Sequence, residues 1–351
     1  MNLKEYKKIG ILGGGQLGMF LCHSAKKFQK EIIIYSESHE FSAKKFANKY
    51  FVGKYLDFER INNFLKCVDI VTVETENIPL KTLKYIEKKK KLLPDSSIIE
   101  IAQNRKKEKA FLNSLQGIRT TNYKPIQSYS DLLYSLNYFN GELIIKSCEQ
   151  GYDGKNQYYI NNTNHHDFID FSFKHYIAEE IVRFKKEISV IVFRDKYGKI
   201  MNYPPVENDH KENILSETIF PARISDKISE RAINYAKKII SSLNMNGLLA
   251  VEMFLTQNNN LVINEIAPRP HNSGHWTMDG CDINQFDNLL LSICGYKISK
   301  PKTVIKRCKM INIIGEEYNN KKRFKDYKFY DYYKKKVLPK RKMGHLLKII
   351  N

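Results

Sequence analysis

Two carboxylates, Glu252 and Glu265, lie in the neighbouring apolar segments Gly247 to Thr256 and Asn260 to Ala267, which only Gln257-Asn258-Asn259 separates. Apolar runs of this length joined so briefly read as a β-hairpin. Both acids then fall toward the strand ends away from the turn, and with compatible facing they converge on one hard cation. Magnesium takes a few carboxylate oxygens and leaves its other positions to substrate phosphates, so the pair suits a nucleotide site. The competing reading is two solvated surface acids. Against it stand the apolar neighbours Ala250, Val251, Met253, Ile263 and Ile266, among which an unpaired acid would be costly.

Lys146 closes the apolar run Leu143-Ile144-Ile145, where a lysine either snorkels to solvent or reaches an anion. The loop Gly151-Tyr152-Asp153-Gly154-Lys155 follows at once, and its glycines permit close backbone approach to phosphates, as in a lid. Further on, Asn264 to Trp276 packs Glu265, Arg269, His271, Asn272, His275 and Trp276 into thirteen residues broken by two prolines. Such a segment is a loop, so His271 and His275 are not the helical pair of a zinc enzyme. It reads as an active-site wall, or as a structured turn around a buried tryptophan.

A second glycine cluster, Gly13-Gly14-Gly15-Gln16-Leu17-Gly18, follows a strand and opens a helix, where backbone amides can hold an anion. Glu37 stands 19 residues beyond Gly18, where a dinucleotide fold would place its ribose-binding acid. An NAD-dependent oxidoreductase and a plain tight turn between strand and helix both remain open on this segment alone.

Period and punctuation supply the elements that carry these residues. Lys8 to Leu12, Glu31 to Tyr35 and Asp69 to Thr75 read as strands, and Gln16 to Phe28, Phe58 to Cys67 and Leu80 to Lys90 as helices, giving a parallel α/β layer. Ile98 to Leu115 has helical spacing and Gly117 as its cap. Glu142 to Ser147, Tyr176 to Val182, Glu187 to Arg194 and Lys199 to Pro204 are strand-like, Asp226 to Leu243 is an amphipathic helix, and the last ~50 residues suggest a small terminal lobe. The chain therefore divides into an N-terminal α/β domain over 1–105, a central region over 106–295 and a C-terminal lobe over 296–351.

Composition excludes more than it selects. Of 351 residues, 42% are hydrophobic, enough for real cores, and no apolar run approaches the roughly 18 residues of a membrane span. The six cysteines show no C-x-x-C spacing, which argues against a zinc site or a disulfide framework and for reduced thiols in a cytoplasmic protein. A net charge of +20 invites a nucleic-acid partner, but the lysines spread over the whole length, so no nucleic acid and no membrane are expected.

Taken in order, the glycine cluster, Thr72-Val73-Glu74-Thr75-Glu76-Asn77-Ile78-Pro79, Gly151 to Lys155, Tyr203-Pro204-Pro205-Val206-Glu207-Asn208, the Asn264 to Trp276 string and Arg341-Lys342-Met343-Gly344-His345 resemble the motifs of the N5-carboxyaminoimidazole ribonucleotide synthetase family of the ATP-grasp superfamily. The resemblance implies an ATP-grasp fold of mixed α/β and α+β class, with a lid at about 118–184. It implies ATP and Mg2+ as cofactors, 5-aminoimidazole ribonucleotide and bicarbonate as substrates, a ligase of purine biosynthesis, and a homodimer. Its nearest rival is a formate-using transformylase of the same superfamily.

By matched position, Arg105 and Lys146 would contact ATP, with Gly151, Tyr152, Asp153, Gly154, Lys155, Asn156 and Gln157 covering its phosphates. Glu179, Glu180, Ile181 and Val182 would meet the adenine, Glu187 the ribose, and His210 and Asn264 would stand on the ATP side. Glu252 and Glu265 would bind magnesium, while Lys146, Arg269 and Asp153 carry the chemistry. The ribonucleotide would lie against Glu74 or Glu76, Tyr152, Asp153, Lys155, Arg269, His271 and Asn272, with Lys340, Arg341 or Lys342 at its phosphate. The sequence departs from the family at Met19, where arginine is usual, at Cys148-Glu149-Gln150, and at Asn156, where glycine is frequent.

Overall fold

The computed structural model describes residues 6–149 and 156–350. Among them, short apolar runs separated by amphipathic helices build a five-stranded parallel sheet in the order Lys49–Val52, Glu31–Ser36, Lys8–Leu12, Ile70–Val73 and Lys91–Leu92. Each helix crosses over to return the chain parallel. A four-stranded antiparallel sheet follows, ordered Tyr123–Ile126, Tyr176–Glu179, Glu142–Ser147 and Gln157–Asn161. The lid loop Gly151 to Lys155, with Tyr152, Asp153 and Gly154, lies outside the described residues.

The third sheet carries the candidate site. Its strands run Leu261–Ala267, Gly247–Thr256, Phe184–Arg194, Val206–Lys211, Ile214–Phe220, Arg307–Ile314, Lys342–Ile350 and Lys328–Asp331, with Ile200–Asn202 paired on Phe184–Arg194. One face packs against the Asp226–Ser242 helix, whose Ala232, Ala236, Ile239 and Ile240 meet Ile188, Val190, Leu249 and Val251. The other face holds Ile191, Phe193, Leu248 and Ala250 under the Gln285–Ile293 helix. Alternation along Gly247–Thr256 therefore puts Glu252 on the second face, beyond Ala250.

One expected helix changes, and the structure adds elements that the sequence reading did not name. The helix expected over Ile98 to Leu115 is two helices, Ser96–Gln103 and Arg105–Ser114. Asn104 between them is extended, its side chain accepts from the Lys107 N–H, and the Arg105 N–H donates to the Cys148 carbonyl at 2.9 Å. The side chain thus caps the second helix, a competition with helix propagation that Asn favours. Gly117, at φ +76, turns the chain three residues after that helix has ended. Among the described residues, the C-terminal strands join the large sheet, because Ile214–Phe220 pairs with Arg307–Ile314, which carries Lys342–Ile350 and Lys328–Asp331 with it. Val206–Lys211 and Ile214–Phe220, polar enough to hide from a hydrophobic period, are strands that the sequence does not announce.

The glycine cluster has an occupant within the chain. The Gly18 N–H donates to Glu74 Oε2 at 2.6 Å, and the Gly15 N–H donates to Glu74 Oε1. Gly13 sits at φ +103 with Glu74 directly over it, so a side chain there would be strained and would collide with that carboxylate. Glu37 meanwhile accepts the Tyr55 N–H at 2.8 Å. The anion cradled at the helix start is thus a side chain, which removes the structural support for a dinucleotide reading. Replacing Glu74 by Ala leaves the buried Gly18 amide and the half-buried Gly15 amide unpaired and should lower stability by about 1–3 kcal/mol. Urea unfolding of Glu74→Ala checks this, and an unchanged midpoint would contradict it.

Candidate active site

The expected hairpin forms, with Glu252 directly opposite Glu265. A bulge makes this possible. Met253 pairs with Ile263, so Asn264 is an extra residue between two regular pairs. Ile263 and Ile266 both enter the core under the Asp226–Ser242 helix, whereas Glu265 lies beside Glu252 on the other face. Strict alternation would have sent Glu265 to the face of Ile263, into that core.

Around the two acids stand groups from one helix, three strands and the loop that follows Glu265. His271 Nε2 is 3.1 Å from Glu252 Oε1, and Arg105 Nη1 is 3.5 Å from Glu265 Oε2. Glu187, on the strand next to Glu252, lies 2.6 Å from His210 Nδ1. Burial, then the neighbouring Glu265 charge, pushes the Glu252 carboxyl up. Burial lowers the His210 imidazole, but contact with Glu187 and the charge of Glu252 outweigh it and leave His210 above its usual range. Burial, then the Arg269 guanidinium, pushes His271 well below the usual range. Lys342 acts electrostatically on both Glu252 and His271 from the Lys342–Ile350 strand.

Arg269 binds Glu76 through both Nε and Nη2, the latter at 3.0 Å from Oε1. This fork joins the loop after Glu265 to the parallel sheet. Burial raises the Glu76 carboxyl and the guanidinium more than reverses it, holding it below the ordinary range. Glu74 and Glu76, although only two residues apart, thus face different partners, and Glu74 belongs to the glycine cradle.

A second buried cluster adjoins Arg105. Glu179 Oε2 accepts from Lys146 Nζ at 3.0 Å and from Thr121 Oγ1 at 2.9 Å, and Lys109 Nζ lies 3.3 Å away. Burial alone would push the Glu179 carboxyl up, but Lys146, Lys109 and Arg105 overcome it and hold it at about 2. Glu179 Oε1 is buried with no hydrogen-bond partner among the described residues. Glu180 turns away to grip Asn122, while Ile181 and Val182 lie half-buried outside any strand.

Sequence reasoning missed Lys109 and Glu108. Both share a buried face of the Arg105–Ser114 helix with Arg105 and Leu112. Their spacing of three and four from Arg105, with Leu112 at seven, was the available signal. Glu108 accepts the Ile266 N–H at 2.7 Å, and burial followed by the Glu265 charge pushes its carboxyl up.

Other expected residues are placed less centrally. Lys340 is exposed and pairs with Glu212, and Arg341 donates to the Lys336 carbonyl. Asn272 opens a single 3-10 turn after His271. Asn156 adopts φ +54, so asparagine supplies the left-handed conformation for which glycine is frequent in the family. Gln157 begins the outer strand of the four-stranded sheet.

A parallel α/β sheet, a four-stranded lid sheet and a large sheet with paired carboxylates beside buried cations define an ATP-dependent ligase of the ATP-grasp class. The ATP-grasp domain model matches residues 111–286, the ribonucleotide synthetase preATP-grasp domain matches 6–103, and the phosphoribosylaminoimidazole carboxylase C-terminal domain matches 308–349. The N5-carboxyaminoimidazole ribonucleotide synthase of Bacillus subtilis is 35% identical, over 96% of this chain and 90% of that protein. The Staphylococcus aureus N5-carboxyaminoimidazole synthetase crystallised with ADP superposes with a TM-score of 0.93 at 32% identity, covering 100% of this chain and 95% of that one. The Aspergillus clavatus enzyme in complex with ADP and 5-aminoimidazole ribonucleotide superposes at 0.89 with 27% identity, covering 99% and 94%. The chain belongs to the N5-carboxyaminoimidazole ribonucleotide synthase family.

The Glu179 carboxyl lies below its unfolded value near 4.5, so its contribution to stability is complete above that value. It is lost as the pH falls through the folded value near 2. Glu179→Gln should therefore be less stable than the parent at pH 6, by on the order of 3 kcal/mol. The gap should close between pH 4.5 and 2. Urea midpoints of the two proteins across this range check it, and a gap independent of pH would reject the assignment.

Proposed function

We infer that the site carboxylates 5-aminoimidazole ribonucleotide with ATP and bicarbonate, giving N5-carboxyaminoimidazole ribonucleotide, ADP and phosphate in purine biosynthesis. The observation that carries this reading is the in-register facing of Glu252 and Glu265, flanked by Arg105 and within reach of the Arg269 charge, with Lys146 held by the Glu179 on which Arg105 also acts. Family membership and the ADP and ribonucleotide complexes of relatives support it.

Bicarbonate carbon carries negative oxygens and no good leaving group. Attack by a bicarbonate oxygen on the terminal phosphorus of ATP breaks the bond to ADP and forms carboxyphosphate. The amine nitrogen of the ribonucleotide then attacks the carbon, phosphate leaves, and the nitrogen gives up a proton. Within this sequence Lys146 and Arg269 offset negative charge on the oxygens of the transferring group. Arg105 steadies Glu265, and the Glu76 fork fixes the plane of Arg269 before substrate arrives. Water has to be kept out, since carboxyphosphate hydrolyses readily, and a glycine-bearing lid is suited to that task.

Mg2+ fits the residues present. Burial, and after it the charge of Glu265, raises the Glu252 carboxyl, and a dication between the two facing carboxylates would offset both. Among the described residues no group of three or more His, Cys, Asp or Glu converges as a metal cage. Glu252 and Glu265 would thus hold the ion with Asn264 beside them, leaving its other positions to phosphate oxygens and water. When bound it supplies Lewis-acid charge stabilisation to the phosphoryl oxygens. A cytoplasmic homodimer belongs to the same reading; sedimentation as a monomer would remove the dimer. Among the described residues no helix is long and apolar enough to cross a membrane.

Glu265→Gln should keep the fold and lose ADP formation by at least about a hundredfold with all substrates present. In the parent, ADP release should fall to background when either the ribonucleotide or bicarbonate is omitted. Near-normal turnover in Glu265→Gln would remove the metal assignment, and ADP release independent of the ribonucleotide would remove the substrate.

A further inference from the structure

Behind His271 runs a file of buried hydroxyl and amide groups whose donors all point the same way. The Thr218 hydroxyl donates to Asn208 Oδ1 at 3.0 Å, and Asn208 Nδ2 donates to Ser189 Oγ at 3.0 Å. Ser189 Oγ lies 2.7 Å from Ser273 Oγ, which lies 2.8 Å from His271 Nδ1. Thr218, Asn208, Ser189 and Ser273 are each at most 3% exposed, so none turns to solvent for another partner.

The direction is fixed at one end by a group that cannot reverse. The backbone N–H of Ser273 donates to His271 Nδ1 at 3.3 Å, so Nδ1 must offer a lone pair. The Ser273 hydroxyl therefore donates to Nδ1 as well, and having a single proton it accepts from Ser189. Ser189 in turn spends its proton on Ser273 and accepts from the amide of Asn208. A ring with a bare Nδ1 carries its one proton on Nε2, which lies 3.1 Å from Glu252 Oε1.

We propose that Asn208, Ser189 and Ser273 are positioning residues that hold His271 as the Nε2–H tautomer, so that it presents a neutral donor to Glu252 and the reacting groups beside it. In this state the ring nitrogen that faces the site already carries its proton and the other is engaged by Ser273, so the ring acts there as a donor. Glu252 receives a hydrogen bond without a second formal charge. The assignment deepens the proposed function and rests on it, since it gives His271 its role at the carboxylate pair.

Long-range proton–nitrogen correlation spectra of the full-length protein labelled with 15N-histidine test it directly, with His271 resonances assigned by their loss in His271→Asn. The expected spectrum shows a protonated Nε2 and a bare Nδ1. In Ser189→Ala the file is cut, and in Asn208→Asp the carboxylate draws the Ser189 proton back toward itself. Both should shift the Nδ1 resonance and lower kcat about tenfold to a hundredfold with little change in the KM for ATP. A parent spectrum with the proton on Nδ1 overturns the inference, whatever the variants do. So does a folded Ser189→Ala protein with parental kcat and an unmoved Nδ1 resonance. Failure of the parent reading would appear elsewhere, as ADP formation retained in Glu265→Gln, and would leave the tautomer result standing.

Discussion

Two like charges held face to face on one side of a sheet are the constraint around which this molecule is arranged. Backbone register sets Glu252 and Glu265 opposite each other, so the charge of each is met by what surrounds it. Arg105 stands against Glu265, and a neutral His271 donor stands against Glu252. Glu252 is buried and Glu265 half-buried, and without such neighbours two like charges placed so close would cost stability.

The same logic extends outward. Glu179 collects two lysines and a threonine hydroxyl, so that Lys146 is oriented and not merely near. Glu76 forks Arg269 and ties the parallel sheet to the loop that leaves Glu265, while Glu74 fills the glycine cradle two residues away. Glu76–Arg269 thus ties the parallel sheet to the large one, and Lys109–Glu179 ties the Arg105–Ser114 helix to the four-stranded sheet. Breaking one partner leaves a buried charge behind, commonly at a cost of about 3–5 kcal/mol. Stability and preorganisation are for that reason the same interactions in this cleft, and the basic excess of the remaining chain is largely a matter of its surface.

The glycine cluster shows how far a local motif carries. Its placement after a strand and before a helix was correctly legible, and so was its affinity for an anion. What the motif could not reveal is that the anion is supplied by the chain itself, from the end of a strand 56 residues away. Helix amides satisfy a carboxylate as well as a phosphate, so the pattern is shared by two outcomes that differ only through space.

By itself the sequence determined the elements whose periods are clean: three of the five parallel strands and their helices, the Asp226–Ser242 helix, and the hairpin bearing the two glutamates, but not the short edge strands Lys49–Val52 and Lys91–Leu92. Its motif strings also resembled those of the family, taken in order along nearly the whole chain. Tertiary structure decided the rest. It decided that a bulge at Asn264 turns Glu265 to the side of Glu252, that Asn104 splits one helical pattern into two, that Lys109 is buried, and that polar strands carry the C-terminal segment into the large sheet. Each of these depends on which distant group satisfies a backbone amide or a charge. Periodicity records which face of an element is apolar, but not which partner that face, or the polar one opposite, will meet.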